Sequence, residues 1–208
     1  CQNMQRASWG TSGAKPLTLS FFVRSNVTGT YAVEFRMNAG GSNSLSKNYT
    51  INSADTWERK TITFPANTST NFQNNTSEGC ELGWYLAAGA NYTSGSLATN
   101  YGANAQNTRA AGQTANVTSS TSNTWYITGV QLEVGSKASP FEHRTFTEEK
   151  KDCFRYFYRF NSPDVSGSVN QWLFNIQSDA AYRRSNFPWP TQMRGTPAVT
   201  MTFVGTPG

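Results

Sequence analysis

His143 is the only histidine in a chain that also carries 12 acids and three cysteines, so few side chains are available for covalent, acid–base or metal chemistry. A nucleophilic triad needs a base, an acid that orients it and a nucleophile on a sharp turn, and no G-x-S-x-G run supplies that turn. Glu142 adjoins His143, but neighbours in an extended segment point to opposite faces, which argues against a dyad. Glycoside cleavage asks only for two carboxyl groups across a cleft, about 5–9.5 Å apart. A sequence alone does not pair its acids. Cys1, Cys80 and Cys153 show no C-x-x-C or other short ligand spacing, so neither a metal nor a cofactor is expected. A Cys1–Cys80 disulfide is open by composition, and buried or tolerated thiols are the plainer reading. No catalytic residue is assigned, and the expectation is a protein that is not an enzyme.

Binding chemistry remains. Recognition of a sugar asks for aromatic faces against the apolar side of the ring, with amides or cations reaching its hydroxyls. An aromatic on a strand is more often core than platform, so Trp57, Trp84 and Trp125 are assigned to the core. The candidates lie off the core parity or in polar loops: Tyr85, Tyr92 and Tyr101, with Asn91, Asn104 and Arg109 as polar partners. Five of them fall in 88–123, a polar stretch long enough to have a role of its own or to hide short strands. The bland alternative is that this loop packs against another copy or a neighbouring subunit. N-x-S/T matches at Asn26, Asn48, Asn67, Asn74, Asn75, Asn91 and Asn116 read as turn and loop chemistry in a chain rich in Asn, Ser and Thr.

The elements that must position these residues are strands. Leu17, Leu19, Phe21 and Val23 alternate along 17–24, as do Tyr31, Val33, Phe35 and Met37 along the next run, with Glu34 and Arg36 facing outward. Further strands are predicted at 45–51, 57–64, 80–87 and 125–134, with a polar loop at 66–79. In the last strand the apolar parity switches at Thr128-Gly129, which predicts a β-bulge. Charged residues make up only 14% of the chain, and Ser, Thr, Asn and Gly abound, which disfavours helices. The fold class expected is all-β: a jelly-roll sandwich, then a short helical joint, then a second and incomplete β unit. The domains are 1–140, a joint at 141–160 and the start of a second β domain at 161–208. In the joint, Thr145 and Glu148 fit a capping box. Pro140-Phe-Glu-His-Arg144 reads as its packing, with Phe141 buried, Glu142 or Arg144 ion-paired and His143 packed and hydrogen-bonded. Runs 169–177 and 197–204 alternate like strands, with Trp172, Phe174 and Ile176 on one face, and Phe187 to Pro190 is a kinked connection. Both chain ends read as cuts in a longer protein.

The run from Trp125 to Tyr156, W-Y-I-T-G-V-Q-L-E-V-G-S-x-A-x-P-F-E-H-R followed by an E-E pair and C-x-R-Y, resembles a recurrent module of tailed-phage tail fibres and related virion proteins. Trp9 to Phe21 and Thr56 to Pro65 fit the same module, and Phe187 to Thr200 resembles the β unit that often follows it. Such modules are similar to carbohydrate-binding jelly rolls. The resemblance implies an adhesive or structural virion appendage on the phage particle, homotrimeric, in contact with other virion proteins and with host cell-surface polysaccharide. It supplies no list of sugar-binding residues. The alternatives are a head decoration or fibre protein without a ligand, and a glycan depolymerase of a tail spike. The net charge of +5 comes from scattered Lys and Arg with few acids, so no nucleic acid is expected as a partner. No apolar run approaches the ~20 residues of a membrane span, so no membrane insertion is expected.

Overall fold

The computed structural model describes residues 2–37, 43–73, 79–103, 105–158, 190–196 and 198. The chain divides into two compact units, Cys1–Glu142 and His143–Gly208. Among the described residues the first unit holds seven strands: β1 (Leu17–Ser25), β2 (Gly29–Met37), β3 (Asn43–Ile51), β4 (Glu58–Phe64), β5 (Cys80–Tyr85), β6 (Gly102–Ala103) and β7 (Trp125–Val134). They form two antiparallel sheets, in the orders β4-β1-β7 and β5-β2-β3-β6. The protein is β-rich, as its composition implies.

Period-two alternation builds both inner faces. Leu17, Leu19, Phe21 and Val23 are fully buried from the first sheet, and Tyr31, Val33, Phe35 and Met37 from the second. Phe21 meets Tyr49 and Trp84 edge-on, with ring centroids 5.2 and 5.7 Å apart, and Phe35 lies 5.4 Å from Phe64. The two sheets therefore share one core, and each such ring contributes about 1.5–3 kcal/mol by leaving water.

The bulge forms where the parity switches. Ser20 pairs with Gln131 and Phe22 with Thr128, so Gly129 and Val130 together oppose Phe21. Gly129 takes φ +58°, and a Cβ there would lie 3.2 Å from the Phe22 ring and in ordinary contact with that of Phe141. The extra residue re-aims the strand, and Val130 is left exposed.

Several local expectations are corrected. The strand expected at 57–64 starts at Glu58 and that expected at 80–87 ends at Tyr85. Trp57 is 47% exposed and outside the core. It sits on the opposite parity to Ile62 and Phe64, which face inward. Glu34 points away from the core but is buried all the same, because the chain after β5 returns over it. His143 is exposed rather than packed. Phe141 is half-buried, and Arg144 forms ion pairs with Glu149 at 3.2 Å and Asp152 at 2.5 Å.

In the second unit, helix α2 (Phe146–Phe154) starts at the expected capping box: Thr145 accepts from the Glu148 N–H and Glu148 accepts from the Thr145 N–H. Together these satisfy two of the otherwise orphaned donors of the first turn. Cys153 is exposed, whereas Cys80 is half-buried at the start of β5. Cys1, the runs 169–177 and 197–204 apart from Ala198, and Phe187 to Trp189 lie outside the described residues. No helix among the described residues is long and apolar enough to cross a membrane.

Candidate functional site

The stretch after β5 is a folded lobe on the second sheet. It contains a one-turn helix (Ala90–Thr93), β6 on the edge of β3, and two short 3-10 turns. Within it, the Ala110 N–H donates to the Tyr92 carbonyl and the Gly95 N–H to the Asn107 carbonyl, both at 2.9 Å. Hydrogen bonds fasten it to the sheet, among them one from the Ala32 N–H to Gln113 Oε1 at 3.3 Å. The N–H groups of Thr114 and Ala115 converge on the Thr30 carbonyl, the Thr30 N–H donates to the Thr114 hydroxyl, and Asn48 Nδ2 reaches the Ala111 carbonyl. Small residues allow this approach: Ala110 and Ala111 are buried. At Gly95 a Cβ would sit 2.9 Å from the Asn107 carbonyl oxygen.

At the centre of the lobe Arg109 meets Glu34. Arg109 Nη2 and Nε donate to Glu34 Oε2 at 2.7 and 3.0 Å, and Nε also lies 3.1 Å from Oε1. The register pairs Glu34 with Gly83 and Ala32 with Tyr85, so Tyr85 stands diagonally from Glu34 on the same face. Its hydroxyl donates to Glu34 Oε2 at 2.9 Å. The guanidinium carbon lies 5.8 Å from the Tyr85 ring centre and 5.9 Å from that of Tyr92, and the two rings are 6.3 Å apart. The bond from Glu34 holds the Arg109 pKa above its usual value. Burial first, then the Glu34 bond and charge, push the Tyr85 phenol up. The cluster is thus an ion-paired guanidinium held against two phenol rings.

Of the six residues singled out from the sequence, Tyr85, Tyr92 and Arg109 come together. Asn91 is exposed beside Tyr92 on α1, the helix Ala90–Thr93. Tyr101 is elsewhere: its ring packs edge-on against Trp9 at 5.1 Å as part of the core, and burial raises its pKa. Asn104 lies outside the described residues. The residue missed is Glu34. The signal for it is that Arg109 is the only charged residue in 88–123, and a lone charge in a packed loop needs a partner.

Elsewhere the acids bind the scaffold together. Glu81 pairs with Arg36 and Asp55 with Arg24. Glu133 and Gln131, on the outer side of β7, clamp the fold-back that follows. Glu133 Oε1 accepts from the Ser139 hydroxyl at 2.5 Å and Oε2 from the Ser139 N–H at 3.0 Å. Gln131 Oε1 accepts from the Glu142 N–H at 2.8 Å, and its Nε2 donates to the Ser139 hydroxyl. The Ser139 bonds hold the Glu133 carboxyl below the usual carboxylate range. No cluster of three or more His, Cys, Asp or Glu side chains suited to a metal occurs among the described residues.

Glu58 sets a pH dependence. Burial pushes its carboxyl up, but Lys60, the N–H groups of Ser53 and Asn52 and the Asn52 amide outweigh this and hold it at about 2, against 4.5 for the free group. A depressed folded pKa contributes stability that is whole above the unfolded value and is lost as pH falls through the folded one. The stability of the first unit is expected to decline between pH 4.5 and about 2, and Glu58→Gln is expected to flatten that limb. Denaturant melts across this range check it, and an unchanged slope in the variant would show that Glu58 carries none of it.

No family model, no curated protein and no solved structure matches this chain.

Proposed function

We propose that the chain is an adhesive and structural module of a tailed-phage appendage. In this reading it is a jelly-roll sandwich that contacts host surface polysaccharide and is followed by a second β unit. The module assembles as a homotrimer on the virion, alongside other virion proteins, and performs no reaction. The observation that carries the reading is the clamp at the end of β7. The motif by which the sequence resembles phage modules is, in space, a device for ending one folded unit. Gln131 and Glu133 hold the 139–142 backbone, and a capped helix begins four residues later. Linked folded units are what a fibre requires. The jelly-roll reading is supported by connections that change sheet between β1 and β2, β3 and β4, β4 and β5, and β6 and β7.

The glycan contact is assigned to Tyr92 and Tyr85 with Arg109, on the outer side of the second sheet, with Asn91 beside them. Ring faces recognise the apolar side of a pyranose, and the fixed guanidinium keeps them in place without a conformational search. Three copies in a trimer gain avidity from effective concentration, so each contact can be weak. The acids support a binding role: Glu34, Glu58, Glu81 and Glu133 are each engaged by a partner that holds the scaffold. Tyr92→Ala is expected to weaken binding to immobilised bacterial surface polysaccharide about tenfold, as removal of a central aromatic contact does. Its melting temperature should stay close to that of the parent. Plasmon resonance measures the first and calorimetry the second. Equal binding by parent and variant would remove this contact from the proposal.

A further inference from the structure

We infer that a second saccharide-contact surface lies on the opposite sheet, at the Trp57–Arg24–Tyr126 row. The inference rests on the adhesive reading above and extends it to a face that the loop residues do not reach. Arg24 of β1 pairs directly with Tyr126 of β7. On the other flank Val23 pairs with Glu58, so Trp57, one residue earlier, falls level with Arg24. Trp57, Arg24 and Tyr126 thus lie across three adjacent strand lines, placing the two aromatics about 10 Å apart, two strand spacings. Both are largely open: Trp57 is 47% exposed and Tyr126 49%.

The row is held in place from both sides. Arg24 Nη2 pairs with Asp55 at 3.3 Å, and its guanidinium carbon lies 5.9 Å from the Tyr126 ring centre. Among the described residues its Nε has no hydrogen-bond partner. Asp55 occupies the left-handed region, φ +55°, and its N–H donates to the Ser25 carbonyl at 2.9 Å. The loop before Tyr126 is tied to the same strand end: Ser25 Oγ donates to the Thr124 carbonyl at 2.6 Å, and Asn26 Oδ1 accepts from the Thr124 N–H at 2.9 Å. The turn before Trp57 is gathered on Glu58 through Asn52 and Ser53. Two rings are therefore presented on fixed backbone, with a cation between them.

The surroundings select the ligand. Trp, Tyr and Arg also anchor protein interfaces, but there they sit together in a desolvated, well-packed centre. Here two separate rings are divided by a guanidinium and flanked by polar loops, Asn52 to Thr56 and Ser120 to Thr124. That pattern suits a chain of hydroxylated rings, whose C–H faces lie on Trp57 and Tyr126 while its oxygens accept from Arg24. With the lobe on the other sheet, one module would contact glycan from two faces.

The test uses the whole chain and a panel of purified bacterial O-antigen and capsular polysaccharides, titrated against the parent, the double variant Trp57→Ala/Tyr126→Ala and Tyr92→Ala. The expected result is that the parent binds at least one polysaccharide and the double variant binds it about tenfold or more weakly. Its melting curve and sedimentation should match the parent, and Trp57→Phe, which keeps a ring, should retain most of the affinity. Parent-like binding by the double variant would overturn the second surface and leave the adhesive reading intact. A changed oligomeric state in the double variant would overturn it as well, by making the row a contact between copies. No binding by the folded parent would overturn both.

Discussion

Replacing Glu34 with alanine is expected to destabilise the first unit by about 2–4 kcal/mol and to release the lobe after β5 from the sheet. Glu34 is almost fully buried, at 3% exposure, while the Arg109 side chain keeps 22% of its surface. Removing the carboxylate strands a guanidinium that only partly reaches water. This places the cost toward the lower end of the range for breaking a buried pair. The Tyr85 hydroxyl also loses its acceptor, worth about 1 kcal/mol. The two sheets should remain folded, because the inner faces of β1 and β2 do not depend on Glu34. Hydrogen exchange should show faster exchange at Gly95, Ala110, Thr114 and Ala115, whose N–H groups hold the lobe together and to the sheet. The double variant Glu34→Ala/Arg109→Ala should recover part of the loss, since neither charge is then stranded. A single variant with parent-like stability and exchange would show that the pair behaves as an exposed one.

Trp9→Ala is expected to cost about 3–5 kcal/mol, the range for removing a large buried ring. Trp9 is 3% exposed and meets four groups at once. It stacks on Phe72 at 4.8 Å, lies edge-on to Phe35 at 5.5 Å and to Tyr101 at 5.1 Å, and donates from Nε1 to the Lys15 carbonyl at 2.6 Å. Those contacts tie the N-terminal segment, the loop before β5 and the approach to β6 to one end of the core. Next to it, Gly10 at φ +80° packs against Asn71 with no room for a Cβ, so the segment that carries Trp9 is closely seated on the loop before β5. Trp9→Phe should cost less, since it keeps most of the packing and loses the hydrogen bond. A chemical denaturation series on the three proteins measures this. A loss below about 1 kcal/mol for alanine would mean that the aromatic cluster is peripheral to the fold.

These two sites show where the sequence is readable and where it is not. Leu17 to Val23 and Tyr31 to Met37 declare their strands because period-two alternation is local. The bulge at Gly129 and the capping box at Thr145 are legible for the same reason, since each is a departure or a spacing within a few residues. Glu34 is different. Its parity correctly points away from the core, but parity says which side of a sheet a residue faces and nothing of what covers that side. The cover arrives from a segment 75 residues later. Tyr101 is misread for the reverse reason: it stands in a polar stretch, yet its ring reaches back to Trp9. Trp57 carries the right parity signal, and polar neighbours on both sides, which its size masks. Gln131 and Glu133 read as ordinary outward residues of β7, because their role exists only once the chain folds back to Ser139. The candidate site is therefore half legible, with its aromatic and cationic members visible and the carboxylate that assembles them hidden.

The central claim is adhesion to a surface glycan. The measurement that tests it most directly is attachment of the fluorescently labelled, purified chain to intact bacteria, with polysaccharide extracted from the same cells as competitor. The account predicts saturable attachment that the polysaccharide abolishes and that Tyr92→Ala weakens. A folded sample that attaches to no cell, or that attaches equally with competitor in excess, would contradict it.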